Sequence, residues 1–233
     1  MARPRVLLLG GWSSGPLQWL QMVASEECDF IEPALPTPPV GIRWCASPPV
    51  ALLFAWSMMP SSLLPPAYFT MPTAARLLFQ LSLISLLVVW TIRHALRAGV
   101  RTAQHAIARE RIDLVVGFSW GGGLCCWLLQ GGCRLPMLLL APTQAAMARV
   151  ACLPVRLPMF SCGREVVIVH ASNDPFCPPS QVAALERTGA EMHLCDDMHV
   201  LLDSASLEVI GASFARLLDH YVCEHSLHPA AQE

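Results

Sequence analysis

Short runs, most of them apolar without alternation, recur toward both ends of the chain: Arg5 to Leu9, Leu114 to Phe118, Met137 to Leu140, Val166 to His170 and Glu191 to Cys195. Bounded by Gly, Pro or Asp and rich in Leu or β-branched residues, they predict strands. A strand apolar on both faces belongs inside a parallel sheet covered by helices on each side. Helical patterning fills the gaps at Arg97 to Arg111, Gly122 to Gln130, Ser180 to Arg187 and Ala205 to Tyr221. This alternation predicts an α/β domain with a mostly parallel sheet. No internal repeat interrupts it, and His225 to Glu233 reads as a frayed tail.

Residues 41–92 break the pattern. Val50 to Met59 is apolar, Pro60 to Pro66 is a Pro-rich bend, and Leu77 to Ile92 carries no charge. An upright membrane span needs about 20 residues, so the second piece is a little short and the first shorter still. Because the runs ending at Leu9 and Phe118 belong to one sheet, the chain must enter and leave any membrane on the same side. That excludes a single span and leaves a re-entrant hairpin, an interfacial anchor or a hydrophobic cap over the domain. Arg93, Arg97 and Arg101 follow the second piece, with Trp90 just before them, which suits an anionic cytoplasmic leaflet. The expected organisation is a core at 1–40 and 93–222, a hydrophobic helical insertion at 41–92 and a C-terminal tail at 223–233. Membrane contact is expected through 50–92, with the active domain on the cytoplasmic side. If 41–92 is instead a lid with its apolar face on the active site, the protein is a soluble cytoplasmic one.

Composition sharpens this picture. The chain has 233 residues, enough for a sizeable core, and is 54% hydrophobic but only 14% charged. Soluble domains carry roughly 25% charge, so part of this surface is expected to meet something apolar. Twenty prolines argue against a simple helical bundle. A formal net charge of -2 leaves no basic footprint for nucleic acid. Ten cysteines include no CxxC pair and no His/Cys cluster with zinc-ligand spacing. The run Val6 to Leu9 is too short for a secretory h-region, so free thiols in a reducing compartment are expected.

Two glycine-containing stretches are candidates for chemistry. GGWSSG, Gly10 to Gly15, has the outer-glycine spacing of a P-loop, but Pro16 and Leu17 stand where Lys and Ser/Thr would be needed to hold a triphosphate. DLVVGFSWGG, Asp113 to Gly122, contains GxSxG as Gly117, Ser119 and Gly121. The bare pattern is a weak signal and its setting strengthens it. An apolar strand runs into it and a small-residue helix leaves it, the strand, sharp turn and helix of a nucleophile elbow. A purely structural Gly-rich turn is the competing explanation.

Serine needs a base and an orienting acid to act as a nucleophile. Asp174 falls in the loop after the run Val166 to His170, and His199 in the loop after Glu191 to Cys195, ahead of the last helix. Asp196 and Asp197 are rivals for orienting His199, while Asp203 reads as the N-cap of the last helix. His170 and His193 sit in strands and are expected to be satisfied by backbone or packing. His94 and His105 belong to the helix after the hydrophobic segment, and His220, His225 and His228 come late. Cys177 and Cys195 have no His arranged to activate them.

Ser119, Asp174, His199 is the chain order of an α/β-hydrolase triad, and from residue 5 to residue 221 the chain resembles that superfamily, in the manner of dienelactone hydrolases and carboxylesterases. The resemblance implies that GGWSSG is an oxyanion loop. The family's first strand ends in a His-Gly pair followed by a residue whose backbone amide enters the oxyanion hole; here the three are Gly10, Gly11 and Trp12. The missing His leaves the loop less supported but spares the amide. Trp120 would supply the second amide. The implied reaction is hydrolysis of an ester, thioester or amide through an acyl-serine, with no metal or organic cofactor. The Leu-, Phe- and Trp-rich insertion favours an acyl chain or membrane lipid over a sugar or peptide. The alternative is a catalytically inactive hydrolase-like protein serving as a membrane-associated binding or scaffold module.

Overall fold

All five runs form strands, and a sixth joins them. The computed structural model describes residues 3–11, 15–38, 73–156 and 166–227. Six strands, β1 (Arg5–Leu9), β2 (Asp29–Ile31), β3 (Leu114–Phe118), β4 (Met137–Leu140), β5 (Val166–Ala171) and β6 (Glu191–Cys195), make one sheet in the order β2-β1-β3-β4-β5-β6. Every neighbouring pair is parallel. β2 escapes the sequence pattern because it has only three residues and lies at an edge, where its side chains are only partly covered.

Side chains alternate between the two faces of a strand, and here both faces are apolar and covered. Leu7, Leu9, Val115, Leu139 and Ile168 face one layer, built from α2 (Thr73–Glu110), α3 (Trp120–Gln130), the short α4 (Gln144–Val150) and α5 (Pro179–Glu186). Val6, Leu8, Val116, Leu138, Leu140 and Val169 face the other, built from α1 (Pro16–Ala24) and α6 (Ser204–Leu227). Pro16 opens α1 at its first turn, where its missing N–H leaves no intrahelical bond unmade.

Two boundaries differ from expectation. The helix expected to start at Arg97 starts at Thr73, so Leu77 to Ile92 is continuous with it. No Pro or Gly interrupts residues 73–98, and Leu, Ala and Arg favour propagation once a turn exists. At the other end α6 runs to Leu227, taking in residues 223–227 that read as tail. Of the insertion only residues 73–92 are described; 41–72, and tail residues 228–233, lie outside the described residues, as does Trp12.

α2 is antiparallel to the strands. Its C-terminus meets the start of β1, where Arg5 Nη1 donates to the Glu110 carbonyl at 2.7 Å. Ala95, Leu96 and Ala103 are buried in the core, and Gly99 abuts Leu124 of α3. From Arg93 toward the N-terminus the helix leaves the sheet. Arg93 marks that point, donating from Nε to the Ala151 carbonyl at 2.7 Å and from Nη2 to that of Cys152 at 2.9 Å. Beyond it Leu78, Phe79, Leu81, Ile84, Leu86 and Trp90 are exposed.

Candidate active site

β3 delivers the chain to Ser119 at the C-terminal edge of the sheet, and α3 begins at the next residue. The turn is strained: Ser119 has φ 53 and ψ -111, a region that non-glycine residues seldom occupy. Close packing enforces it. A β-carbon on Gly121 would run into the backbone carbonyl of Leu9, and one on Gly117 would lie 2.5 Å from Cys125 Sγ and 2.7 Å from the Gly121 carbonyl oxygen. Both elbow glycines are therefore required for β1, β3 and α3 to meet.

The carbonyl of Ser119 is held from the far side. Gly123 N donates to it at 2.9 Å, and Thr143 donates from its backbone N at 3.3 Å and from Oγ1 at 3.1 Å. Thr143 caps α4 and is buried. A lone Thr after a short strand carries no motif, so nothing in the sequence marks this support.

Asp174 and His199 come to Ser119 from the loops after β5 and β6. Asp174 Oδ1 accepts from the amides of Phe176 at 2.8 Å and Cys177 at 2.9 Å, an Asx-type turn that fixes the carboxylate plane. Its other oxygen, Oδ2, is 2.6 Å from His199 Nδ1. With Nδ1–H donating there, Nε2 is left to accept from the Ser119 hydroxyl, whose Oγ is 2.8 Å away. Burial pushes the Asp174 pKa up, but the His199 hydrogen bond and the two amides outweigh it, and the carboxyl sits below its ordinary range. The His199 ring is flanked by Phe118, tilted with centroids 5.7 Å apart, and by Phe176, edge-on at 5.1 Å.

The rival carboxylates have other work. Asp197 accepts from the amides of Met198 at 2.6 Å and Asp203 at 2.9 Å, closing the loop that carries His199. Asp196 Oδ1 accepts from Asn173 Nδ2 at 2.9 Å, tying that loop to the one carrying Asp174. Asp203 Oδ1 accepts from the Ala205 amide at 3.0 Å, as expected of an N-cap. His193 departs from expectation: it is partly exposed and bonds Glu191 Oε1 at 2.7 Å rather than backbone. His170 lies fully buried behind Asp174, with Nε2 2.8 Å from the Cys177 carbonyl oxygen and 4.0 Å from Asp174 Oδ2. Its Nδ1 has no hydrogen-bond partner among the described residues, and burial holds its pKa below the ordinary value. Burial raises the Cys177 thiol to about 12, which removes its thiolate at neutral pH.

Gly11 lies directly over Ser119, where an added β-carbon would stand 3.0 Å from Ser119 Cβ and 3.3 Å from Oγ. Trp120 is the first residue of α3, and its amide is among those directed out of the helix N-terminus. A cleft of about 310 Å³ opens beside this loop, lined by Gly10, Gly11, Glu32, Leu35 and Thr37 among others.

No protein-family model matches the chain, and no curated protein matches it significantly. Solved structures do. One described as a hydrolase of the alpha/beta superfamily, from Xanthomonas campestris pv. campestris, is 18% identical and covers 94% of this chain and 99% of its own, with a TM-score of 0.51. A YdeN-like hydrolase from Pectobacterium atrosepticum is 10% identical, covers 91% and 92%, and has a TM-score of 0.52. Esterase PE8 is 15% identical, covers 93% of each chain, and has a TM-score of 0.50. The chain has the α/β-hydrolase fold.

Proposed function

We propose that this α/β-hydrolase fold carries a working serine hydrolase, cleaving a carboxylic ester or thioester through an acyl-enzyme. The observation that carries the reading is the continuous hydrogen-bonded line from Asp174 through His199 to Ser119. Ser119 Oγ attacks the acyl carbonyl carbon while His199 Nε2 takes its proton, and the imidazolium returns that proton to the leaving oxygen or sulfur. Water then enters; His199 takes one of its protons as the water oxygen attacks the acyl carbon, and the bond to Ser119 Oγ breaks with Oγ taking that proton back from His199 as the acid departs. Asp174 holds the ring orientation and stabilises its cation throughout. The amides of Trp12 and Trp120 stabilise the oxyanion, a contribution of roughly 3 kcal/mol for each donor in such sites.

The substrate is a small ester or an acyl lipid, and the protein is membrane-associated through residues 50–92. Support comes from the exposed apolar first half of α2, part of a helix long and apolar enough to cross a membrane. The solved structures of the same fold that are described as hydrolases and esterases agree with the reaction class.

A fluorophosphonate probe on detergent-solubilised protein tests the reaction. Wild type should label, and Ser119→Ala and His199→Ala should lose labelling together with turnover, by on the order of 10⁴-fold or more. Failure of folded wild type to label would overturn the reading in favour of a binding or scaffold role.

A further inference from the structure

The exposed half of α2 and the catalytic residues lie at the same edge of the sheet. Because α2 is antiparallel to β3 and meets the strand starts at Glu110, its N-terminal half projects past the strand ends, where Ser119 sits. Residues 77–92, the uncharged stretch, extend about 24 Å at the helical rise, most of the roughly 30 Å hydrocarbon thickness of a bilayer, with Arg76 just beyond them. The apolar character of this half goes all round. At 100° per residue Leu78, Phe79 and Ile84 point in widely separated directions, and Leu86, on the side of Phe79, is 66% exposed. A single packed segment would cover one face and leave the others wet. Two hydroxyls within it bond inside the helix, Ser85 Oγ to the Leu81 carbonyl at 2.9 Å and Thr91 Oγ1 to that of Leu87 at 2.7 Å, an arrangement compatible with lipid.

The rim of the site matches the helix. Phe176, Met198, Val200 and Leu202 are exposed, and they stand on the two loops that carry Asp174 and His199. Trp90 stacks on His94 at 5.5 Å, and Arg93, Arg97 and Arg101 follow, an aromatic-then-basic order suited to an anionic headgroup layer. The described residues stop at Pro38 and resume at Thr73, the first residue of α2.

We infer that the catalytic edge faces the bilayer, with residues 77–92 of α2 inserted and the apolar rim around His199 resting at the headgroup boundary. The substrate bond then sits at that boundary with its acyl chain in the lipid. The inference builds on the hydrolase reading but concerns orientation, and the two can fail separately.

The test uses the full chain in phosphatidylcholine vesicles containing phosphatidylserine. A benzophenone amino acid replaces Phe176, Leu202, Ile84 or, toward the opposite edge on α1, Met22. Lipid adducts are expected from 176, 202 and 84 and not from 22. Adducts from 22 without those from 176 and 202 overturn the orientation, and adducts from 84 to residues 39–72 in place of lipid overturn the bilayer as occupant. Leu81→Arg with Leu86→Arg should keep the wild-type circular dichroism yet reduce vesicle flotation by roughly a hundredfold or more; unchanged flotation overturns the inference. Fluorophosphonate labelling of the same samples reports the hydrolase reading independently.

Discussion

Gly121 sits against the carbonyl of Leu9 with no room for a methyl group between them. That approach locks the end of β1 to the first turn of α3 and so fixes the distance between the loop at Gly10–Gly11 and Ser119. The obstructing atoms are backbone, which cannot rotate away.

Gly121→Ala should therefore lose about 3 kcal/mol or more of stability, and fluorophosphonate labelling with it. Gly10→Ala is the control, since its β-carbon would come no closer than 3.8 Å to Glu32 Oε1, and it should stay within about 0.5 kcal/mol of wild type. Urea unfolding followed by circular dichroism measures both; equal losses would show that the approach is not what constrains the elbow.

Thr143→Val keeps the shape of the side chain and removes the hydroxyl that holds the Ser119 carbonyl. A cost of about 1 to 2 kcal/mol is expected, with kcat reduced more than KM because the elbow rather than the substrate cleft loses a support. Steady-state kinetics on a chromogenic ester would reveal a KM effect instead if Thr143 acted through binding.

Acid should destabilise the fold in two stages. Burial keeps the His170 pKa below its ordinary 6.5, so as pH falls below that value the unfolded chain takes up a proton that the folded chain refuses, and stability drops. The Asp174 pKa lies below its ordinary 3.8, so the stability it contributes is complete above that value and declines as pH falls through the lower folded one. His170→Gln should remove the upper stage and Asp174→Asn the lower, as read by unfolding midpoints against pH.

Chain-length preference tests the substrate class. Along a series of p-nitrophenyl acyl esters, kcat/KM should rise as methylenes enter an apolar environment worth about 0.8 kcal/mol each, up to roughly fourfold per group. A uniform preference for short, water-soluble esters would instead assign a small-molecule substrate.

The parts of this protein legible in its sequence are those where one residue type has few physical alternatives. Central strands such as Met137–Leu140 are apolar on both faces because both are covered, and Gly117 and Gly121 are small because β1, β3 and α3 converge. Ser119, Asp174 and His199 each follow a recognisable strand, and in the folded chain it is Asp174 rather than Asp196 or Asp197 that lies within hydrogen-bond distance of His199. β2 and α4 were too short to show a period. The supports from Thr143 and Phe176 depend on where separate loops meet, which no local pattern encodes. The start of α2 is not marked in the sequence, because Leu77–Ile92 differs from the rest of the helix in polarity while its helix propensity does not break at Arg93.

The continuity of α2 has a mechanical meaning. Its first half is exposed and its second half is buried in the core, with no proline anywhere and its one glycine pressed against Leu124. A flexible leash would let a catalytic domain wander through a hemisphere of positions above whatever held it. This helix is a mast: tilting it by a given angle swings Ser119 by the same angle, so the position of Ser119 relative to the exposed half of α2 is set by rigid-body geometry rather than by diffusion.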